Sequence, residues 1–369
     1  MKRCSGLLAA VVLAGCGSDP GPAEPVATTA PATATPNETP GPTVTPSATP
    51  TAASTQAPAA RRVVATGLDV PWGIAFLPDG DALVAERATA RILRIPAGGG
   101  EPERVMTVPG VARNAGEGGL LGLAVSPRYA SDAFVYAYFT STRGDNRIVR
   151  FKLGERVRTV LTGLRSAGIH NGGRIAFGPD GKLYAGVGDA GQTSLAQDPS
   201  SRNGKILRMD PDGDNARVWS LGHRNVQGLA WDRRGRLWAS EFGQNTRDEV
   251  NLIRRGRNYG WPEVEGVGST AGGRFTNPKV TWATSAASPS GAAIIGTNLY
   301  VAALQGECVW KVPLDGASAG KPTRMLAGRY GRIRTVVAAP DGTLWVATSN
   351  RDGRGSPRDG DDRIVAVRV

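Results

Sequence analysis

The chain has 369 residues, a formal net charge of +12 and only three cysteines. Its arginines are scattered and not interleaved with aromatic residues, so nucleic acid is not an expected partner; a solvated basic surface or attraction to an anionic small ligand fits better. Only Cys308 lies beyond the N-terminal region, which excludes an internal disulfide in the main part of the chain.

The N-terminal 60 residues have the pattern of a leader followed by a tether. Lys2 and Arg3 precede an apolar run at 7–14, and the run ends in Leu-Ala-Gly before Cys16. This pattern predicts a signal peptide over 1–15. The ending resembles a bacterial lipobox, with Cys16 as the lipidated residue, and ordinary cleavage nearby is the alternative. Residues 16–60, rich in Pro, Thr and Ala, are predicted to be a disordered linker. The expected location is extracytoplasmic, anchored to the membrane by lipid at Cys16.

Residues 61–369 contain six segments with one pattern: an alternating apolar strand, a turn often reading Pro-Asp-Gly, a second strand, a polar loop and a short strand. No helical periodicity lies between the segments, so the fold class is all-β, and six such repeats predict a six-bladed β-propeller. Residues 62–65, ahead of the first repeat, are predicted to add a strand to the last blade and close the ring. In a propeller, corresponding loops gather around the axis. Polar residues in those loops are therefore expected to meet.

The chain has only two histidines, His170 and His223, and each comes shortly before the first strand of a repeat. Their similar positions favour a shared site, and the alternative is that each is only a hydrogen-bonding loop residue. Too few histidines are present for a typical zinc site.

Three further patterns are ambiguous from the residues alone. Gly186 begins a G-x-G-x-x-G match, but no helical pattern follows it, so we interpret it as a strand running into a loop, with Asp189 as a candidate site acid. Arg332 and Arg334 lie on one face of an extended segment, which suits either a solvated edge or a polycarboxylate ligand. From the residues alone, Tyr259, in the loop after Glu249, is best interpreted as a core aromatic.

Several motifs together resemble one family. They are GEGGLLGL at 116–123, HNGGR at 170–174, GD at 188–189, GKILR at 204–208, GHRN at 222–225, DE at 248–249, NYGWP at 258–262 and TSNRDGRG at 348–355. In this order they are similar to the soluble quinoprotein sugar dehydrogenases, the glucose/sorbosone dehydrogenase family and its aldose sugar dehydrogenase branch. The resemblance implies a six-bladed propeller that uses pyrroloquinoline quinone (PQQ) and calcium to oxidise aldoses at the anomeric hydroxyl to lactones. Electrons would then pass to an external acceptor.

The resemblance also implies catalytic roles for particular residues. His170 matches the general base that takes the substrate hydroxyl proton as hydride moves to the quinone. Arg224 matches a residue that stabilises charge developing on the quinone oxygens. Asp189 matches a residue near the sugar.

Cofactor and metal positions follow from the same resemblance. The implied cofactor-binding residues are Glu117, Arg224, Asn225, Gln305, Arg332 and Arg334. The backbone carbonyls of Gly243 and Gln244 match those that hold the cofactor's calcium, and Glu249 and Tyr259 match a second, structural calcium site. Gln305 stands where the family typically has a lysine, which removes one charge-assisted contact to the quinone.

Two other functions are compatible with a propeller. One is a non-catalytic extracellular domain that binds a glycan or a protein partner, which the substitution at Gln305 and the long linker favour. The other is a lactonase or hydrolase that uses calcium alone. This second function would leave the pair Arg332 and Arg334 without an obvious ligand.

Overall fold

The computed structural model describes residues 61–113 and 115–369. The predicted leader and linker, including Cys16, lie outside the described residues. Within the described part, six antiparallel sheets each contain four or five strands. The predicted all-β six-bladed propeller is therefore confirmed.

Strands are numbered in chain order, from the inner strand of each blade outward. Blade 1 contains β2 to β5: Pro71–Phe76, Ala82–Glu86, Arg91–Ile95 and Glu103–Thr107. Blade 2 contains β6 to β9: Leu120–Val125, Val135–Thr140, Asp145–Phe151 and Arg158–Arg165. Blade 3 contains β10 to β13: Ile175–Phe177, Leu183–Val187, Lys205–Met209 and Arg217–Leu221. Blade 4 contains β14 to β17: Val226–Trp231, Leu237–Glu241, Arg247–Ile253 and Val280–Ala283.

Blade 5 contains five strands, β18 to β22: Pro289–Ile295, Asn298–Ala303, Cys308–Asp315, Ser318–Ala319 and Thr323–Met325. Blade 6 contains β23 to β25, Ile333–Ala338, Leu344–Thr348 and Ile364–Val367, together with β1, Arg61–Ala65. Over residues 61–113 and 115–369, helix is limited to α1, Tyr129–Asp132, and the 3₁₀ turns Thr193–Ala196 and Ala271–Gly273. None of these helices is long and apolar enough to cross a membrane.

The ring closes through β1, which pairs antiparallel with β25 from Arg61 opposite Val367 onward. The sheet of blade 6 thus joins the two ends of the described chain, as predicted, and β1 covers the outer edge of β25.

The repeated turn between the first two strands of a blade stabilises itself locally. In blade 1, Gly80 has a φ of 92° and its N–H bonds to the carbonyl of Leu77 at 3.0 Å. The Asp79 side chain accepts the N–H of Asp81 at 3.0 Å. The Pro-Asp-Gly sequence therefore specifies the hairpin through its own side-chain and backbone bonds.

The apolar core lies between neighbouring blades. One cluster joins Tyr138 of blade 2 to Leu183 and Leu207 of blade 3, and another joins Trp238 of blade 4 to Val301 of blade 5. Burial of both faces of each sheet supplies the main stabilising free energy.

Blade 3 fills the axis with an arginine. In most blades the inner strand has glycine at this level; a Cβ on Gly122 would lie 2.2 Å from the carbonyl oxygen of Gly173. Arg174 donates to the Gln227 carbonyl at 2.8 Å and to Thr335 Oγ1 at 3.3 Å, and its guanidinium lies 4.2 Å from the Trp72 ring centroid. One side chain thus links the inner strands of blades 1, 3, 4 and 6.

Candidate active site

A cavity of about 570 Å³ lies where loops from several blades meet above this axis. Most of the predicted site residues line it: Glu117, His170, Arg224, Gly243, Gln244, Gln305, Arg332 and Arg334. Asp189, Asn225, Glu249 and Tyr259 are buried outside its wall. The loops thus bring together residues that are far apart in sequence, as the propeller predicted.

His170 is held at the cavity wall by its backbone and its ring. Its φ is 55°, and its N–H donates to Glu117 Oε2 at 3.0 Å. Nδ1 lies 2.7 Å from Asp189 Oδ1. A carboxylate can only accept a hydrogen bond, so Nδ1 carries the proton in the neutral ring and the lone pair stays on Nε2. Nε2 has no hydrogen-bond partner among residues 61–113 and 115–369, so it is available as a proton acceptor.

Asp189 lies outside the cavity wall. It is completely buried behind His170, where Oδ2 accepts the indole N–H of Trp261 at 2.9 Å and Oδ1 accepts the N–H of Gly191 at 2.8 Å. Because Oδ1 also lies 2.7 Å from Nδ1 of His170, Asp189 orients the imidazole. That Asp189 lies near the sugar stays a prediction.

Arg224 faces the cavity with part of its hydrogen-bonding capacity unused. Its backbone N–H donates to Glu241, and Nη1 reaches the Phe242 carbonyl at 3.4 Å. Nε is buried and has no partner among the described residues. Burial lowers the pKa of Arg224, but the side chain stays charged at neutral pH because an arginine pKa is so high.

Asn225 also lies outside the wall, and its role in binding the cofactor stays a prediction. Its Oδ1 accepts the N–H of Gly172 and the Nε2 of Gln227, both at 3.0 Å. The side chain turns between blades 3 and 4 and joins them. Its contribution to the cavity is therefore to fix the neighbouring backbone.

The predicted arginine pair has an internal partner that the sequence analysis missed. Asp352 Oδ2 accepts from Arg332 at 3.1 Å and from Arg334 at 3.3 Å, and Ser349 adds a bond at 3.2 Å. Burial would raise the pKa of Asp352, but Arg334 and Arg332 outweigh that effect and lower it. Asp352 lies within the motif TSNRDGRG, and its place in that motif is the sequence signal that could have identified it as a site residue.

Two more arginines add positive charge to the cavity. Arg87, which follows the second strand of blade 1, lines it and was not predicted. Arg354 also lines it, pairs with Glu117 at 3.1 Å and is largely exposed. The cavity therefore contains several guanidinium groups besides those of Arg332 and Arg334.

The loop at Gly243 and Gln244 places two backbone carbonyl groups at the cavity. No hydrogen bond to either carbonyl oxygen occurs within the described ranges. Asp248, which the sequence analysis did not select, also lines the wall and accepts the N–H groups of Gly243 at 2.9 Å and Ser288 at 2.7 Å. Burial raises the pKa of Asp248 to about 7.

Glu249 and Tyr259 lie apart from this cavity. Glu249 accepts the N–H of Gly266 at 2.6 Å and the amide of Asn251 at 2.9 Å, while Asn251 Oδ1 is buried and has no partner in the part of the chain that the structure describes. Burial, and after it the neighbouring Glu241, raise the pKa of Glu249. The Tyr259 hydroxyl is already used by Leu252 and Arg254, so only its carbonyl could serve a cation. In the described residues, no three His, Cys, Asp or Glu side chains are grouped to hold a metal.

The expectation that both histidines share one site is wrong. His223 is completely buried; Nδ1 lies 2.8 Å from Glu241, Nε2 lies 2.8 Å from Ser220 Oγ, and the ring stacks on Tyr259. Both ring nitrogens are engaged. His223 supports the loop that carries Arg224 and does not reach the cavity.

Fold and cavity together define a class: a six-bladed propeller with a polar, cation-rich site over the axis. The family model described as Glucose / Sorbosone dehydrogenase matches residues 68–356. Quinoprotein glucose dehydrogenase B of Acinetobacter calcoaceticus is 32% identical over 263 residues, which are 59% of this chain and 55% of that protein. Aldose sugar dehydrogenase YliI of Escherichia coli is 29% identical over 339 residues, 79% of this chain and 90% of that protein.

A solved structure agrees over nearly the whole propeller. It is the PQQ-bound form of an aldose sugar dehydrogenase from Streptomyces coelicolor, with 51% identity, a TM-score of 0.79, and coverage of 84% of this chain and 99% of that one. The chain belongs to the glucose/sorbosone dehydrogenase family. This confirms the predicted family and the predicted enzyme class, an oxidoreductase that acts on the CH–OH group of sugars.

Proposed function

We propose that the protein oxidises aldoses at the anomeric hydroxyl to lactones, with PQQ as oxidant, calcium as an assisting cation and His170 as general base. The observation that carries this proposal is the free Nε2 of His170 at the wall of a cavity lined with arginines. The similarity to a sugar dehydrogenase solved with PQQ supports it.

The cavity residues fit a flat, polycarboxylate quinone. Arg332 and Arg334 offer guanidinium groups suited to carboxylates, and the buried Nε of Arg224 lacks a partner that an oxygen of a bound ring can supply. Arg87 lines the same cavity as Gln305 and adds a positive charge to it. When bound, PQQ supplies a two-electron oxidant that accepts hydride.

The free carbonyls of Gly243 and Gln244 fit the oxygen ligands that calcium takes. A calcium ion held there would supply positive charge that polarises the quinone carbonyl. Glu249, the unpaired Oδ1 of Asn251 and the carbonyl of Tyr259 supply oxygen ligands for a second, structural calcium away from the cavity.

The protein's own groups perform the proton chemistry. His170 Nε2 accepts the proton of the anomeric hydroxyl while the C1–H bond yields a hydride, so the sugar loses two electrons and two hydrogens. Asp189 keeps the Nδ1 proton in place and stabilises the imidazolium that forms. Arg224 stabilises negative charge that develops at the cavity during the transfer.

The test uses purified protein titrated with PQQ and calcium and then with a panel of aldoses, with reduction of an external dye as readout. We expect a quinone absorbance that shifts on addition of sugar, and lactone as product. Binding of a glycan without dye reduction would favour the non-catalytic propeller, and lack of PQQ binding would end the proposal.

The N-terminal sequence supports a further proposal about location: the protein is extracytoplasmic and attached to the membrane through lipid on Cys16. We expect the intact protein to partition with membranes and Cys16→Ala to be released. Equal membrane association of the two proteins would contradict the anchor.

A further inference from the structure

The loop that carries Gly243 and Gln244 closes around one carboxylate oxygen. Oε1 of Glu265 accepts four consecutive backbone N–H groups, those of Gln244, Asn245, Thr246 and Arg247, at 2.7, 3.0, 3.0 and 3.1 Å. Glu265 is on a separate segment, 18 or more residues further along the chain. A run of N–H groups directed at one point forms a concave anion-binding nest, and here a side chain of the same protein fills it.

Because the peptide bond is planar, the contact with Glu265 also fixes the direction of the neighbouring carbonyl groups. In a trans peptide the N–H of one residue and the C=O of the preceding residue point in opposite directions. The N–H groups of Gln244 and Asn245 point at Glu265, so the carbonyls of Gly243 and Gln244 point away from it. Both residues line the cavity, and both carbonyl oxygens lack a hydrogen-bond donor in the described residues.

The packing at Gly243 and Gly266 shows independently that the loop lies close against Glu265 and Arg247, with no room for a side chain at either glycine. A Cβ on Gly243 would lie 1.8 Å from the carbonyl oxygen of Arg247 and 2.7 Å from Glu265 Oε1. A Cβ on Gly266 would lie 2.6 Å from Cγ of Arg247. Glycine at these two positions lets the loop wrap around the carboxylate at a distance no other residue permits.

The four bonds to Glu265 converge on a single acceptor oxygen. Bonds from N–H groups to a carboxylate are stronger than bonds to a neutral acceptor, so this contact holds the loop more firmly than an amide side chain would.

We propose that Glu265 is a positioning residue that holds the carbonyls of Gly243 and Gln244 toward a divalent cation in the cavity. This inference rests on the proposed function, because the cation is the calcium invoked there. Glu265 does not touch the cation; it acts through the orientation of the peptide planes between them.

The experiment measures calcium binding directly in the full-length protein, by titrating Ca²⁺ into calcium-stripped, PQQ-loaded protein and following heat and quinone absorbance. For Glu265→Ala we expect a 10- to 100-fold weaker quinone-linked calcium site, the usual effect of losing an orienting partner. Glu265→Gln keeps an oxygen acceptor but no charge, so we expect a smaller loss. The matched control is Glu263→Gln, an exposed acid in the same segment that pairs with Arg274 at 3.0 Å and should bind calcium as the parent does.

Hydrogen exchange gives a second readout. The amides of 244–247 should exchange faster in Glu265→Ala than in the parent, while amides in β14 and β15 stay protected. If both Glu265 variants bind calcium with parental affinity, the inference is overturned and the proposed function stands. If the parent itself shows no quinone-linked calcium site, the proposed function fails and this inference with it. Should Glu265→Ala not fold, the comparison of Glu265→Gln with Glu263→Gln decides alone.

Discussion

The segments that precede the inner strands of blades 3 and 4 contain similar residues, yet their histidines have different surroundings. Strand pairing sets the alignment: Ile175 faces Ala185 in blade 3, and Leu229 faces Ala239 in blade 4. Counting back from these pairs, His170 before blade 3 is equivalent to Arg224 before blade 4. His223 comes one residue before that equivalent position.

Because His223 comes one residue earlier than the equivalent of His170, its side chain points into the protein interior and not into the cavity. His170 and Arg224 both line the cavity, while His223 is enclosed between Glu241, Ser220 and Tyr259. The comparison teaches that residue type alone does not single out a candidate base. What supports His170 as the proposed base is one ring nitrogen at the wall without a hydrogen-bond partner among the described residues, which His223 lacks.

The largest effect is expected from His170→Ala. Loss of the general base should lower kcat by about 10²- to 10⁴-fold, with PQQ and calcium binding close to the parent because Arg332, Arg334 and the loop at Gly243 are untouched. Steady-state kinetics and cofactor titration check this. Parental turnover in the variant would remove His170 as the base.

Asp189→Asn should lower kcat next most, by about 10- to 100-fold, as is common when an orienting partner is removed. The amide of this variant can donate to Nδ1 of His170 as well as accept from it. In part of the molecules the imidazole proton therefore lies on Nε2, and those molecules lack a free nitrogen that can act as the base. A pH profile of kcat should move with the substitution, which a purely structural defect does not cause. Asp212→Asn, at an exposed turn, is the control and should leave the profile unchanged.

His223→Ala should act on stability instead of chemistry. Removing the ring leaves the buried Glu241 and Ser220 each without one partner, which lowers the free energy of unfolding by about 1–3 kcal/mol. Denaturant unfolding measures this, and kcat should stay within about tenfold of the parent. A loss of turnover as large as in His170→Ala, with stability kept, would contradict the distinction between the two histidines.

Ser220→Ala is the mildest change in the surroundings of His223. It removes one neutral hydrogen bond to His223 Nε2, and we expect a loss of about 1 kcal/mol in the free energy of unfolding. Ser356→Ala, at an exposed serine, serves as the matched control. Equal stabilities of the two variants would show that the Ser220 bond contributes nothing.

The sequence could predict the propeller because its signals are local. Alternating strands and self-contained Pro-Asp-Gly turns mark three strands in each repeat, and the structure contains all of them. The outer strands, such as Glu103–Thr107 and Arg158–Arg165, were not predicted as part of the repeat. They are the more exposed edges of the blades, so no strict alternation of apolar residues identifies them.

The site was predicted less completely because it depends on which way each side chain points. Loop motifs placed Glu117, His170 and Arg224 correctly at the cavity. They could not show that Asp189 and Asn225 turn away from it, or that Asp352 lies between two arginines. Those facts follow from strand register and from contacts between distant blades, which no spacing within the chain specifies.

Arg174 has a consequence for the order of events. Within the described residues it fills the middle of the ring with Trp72, Gln227 and Thr335. If the protein oxidises sugars as proposed, sugar and electron acceptor would use the cavity in turn, with the oxidised product leaving before the acceptor binds. Turnover of this kind would follow ping-pong kinetics, in which each reactant inhibits the reaction when it is in excess.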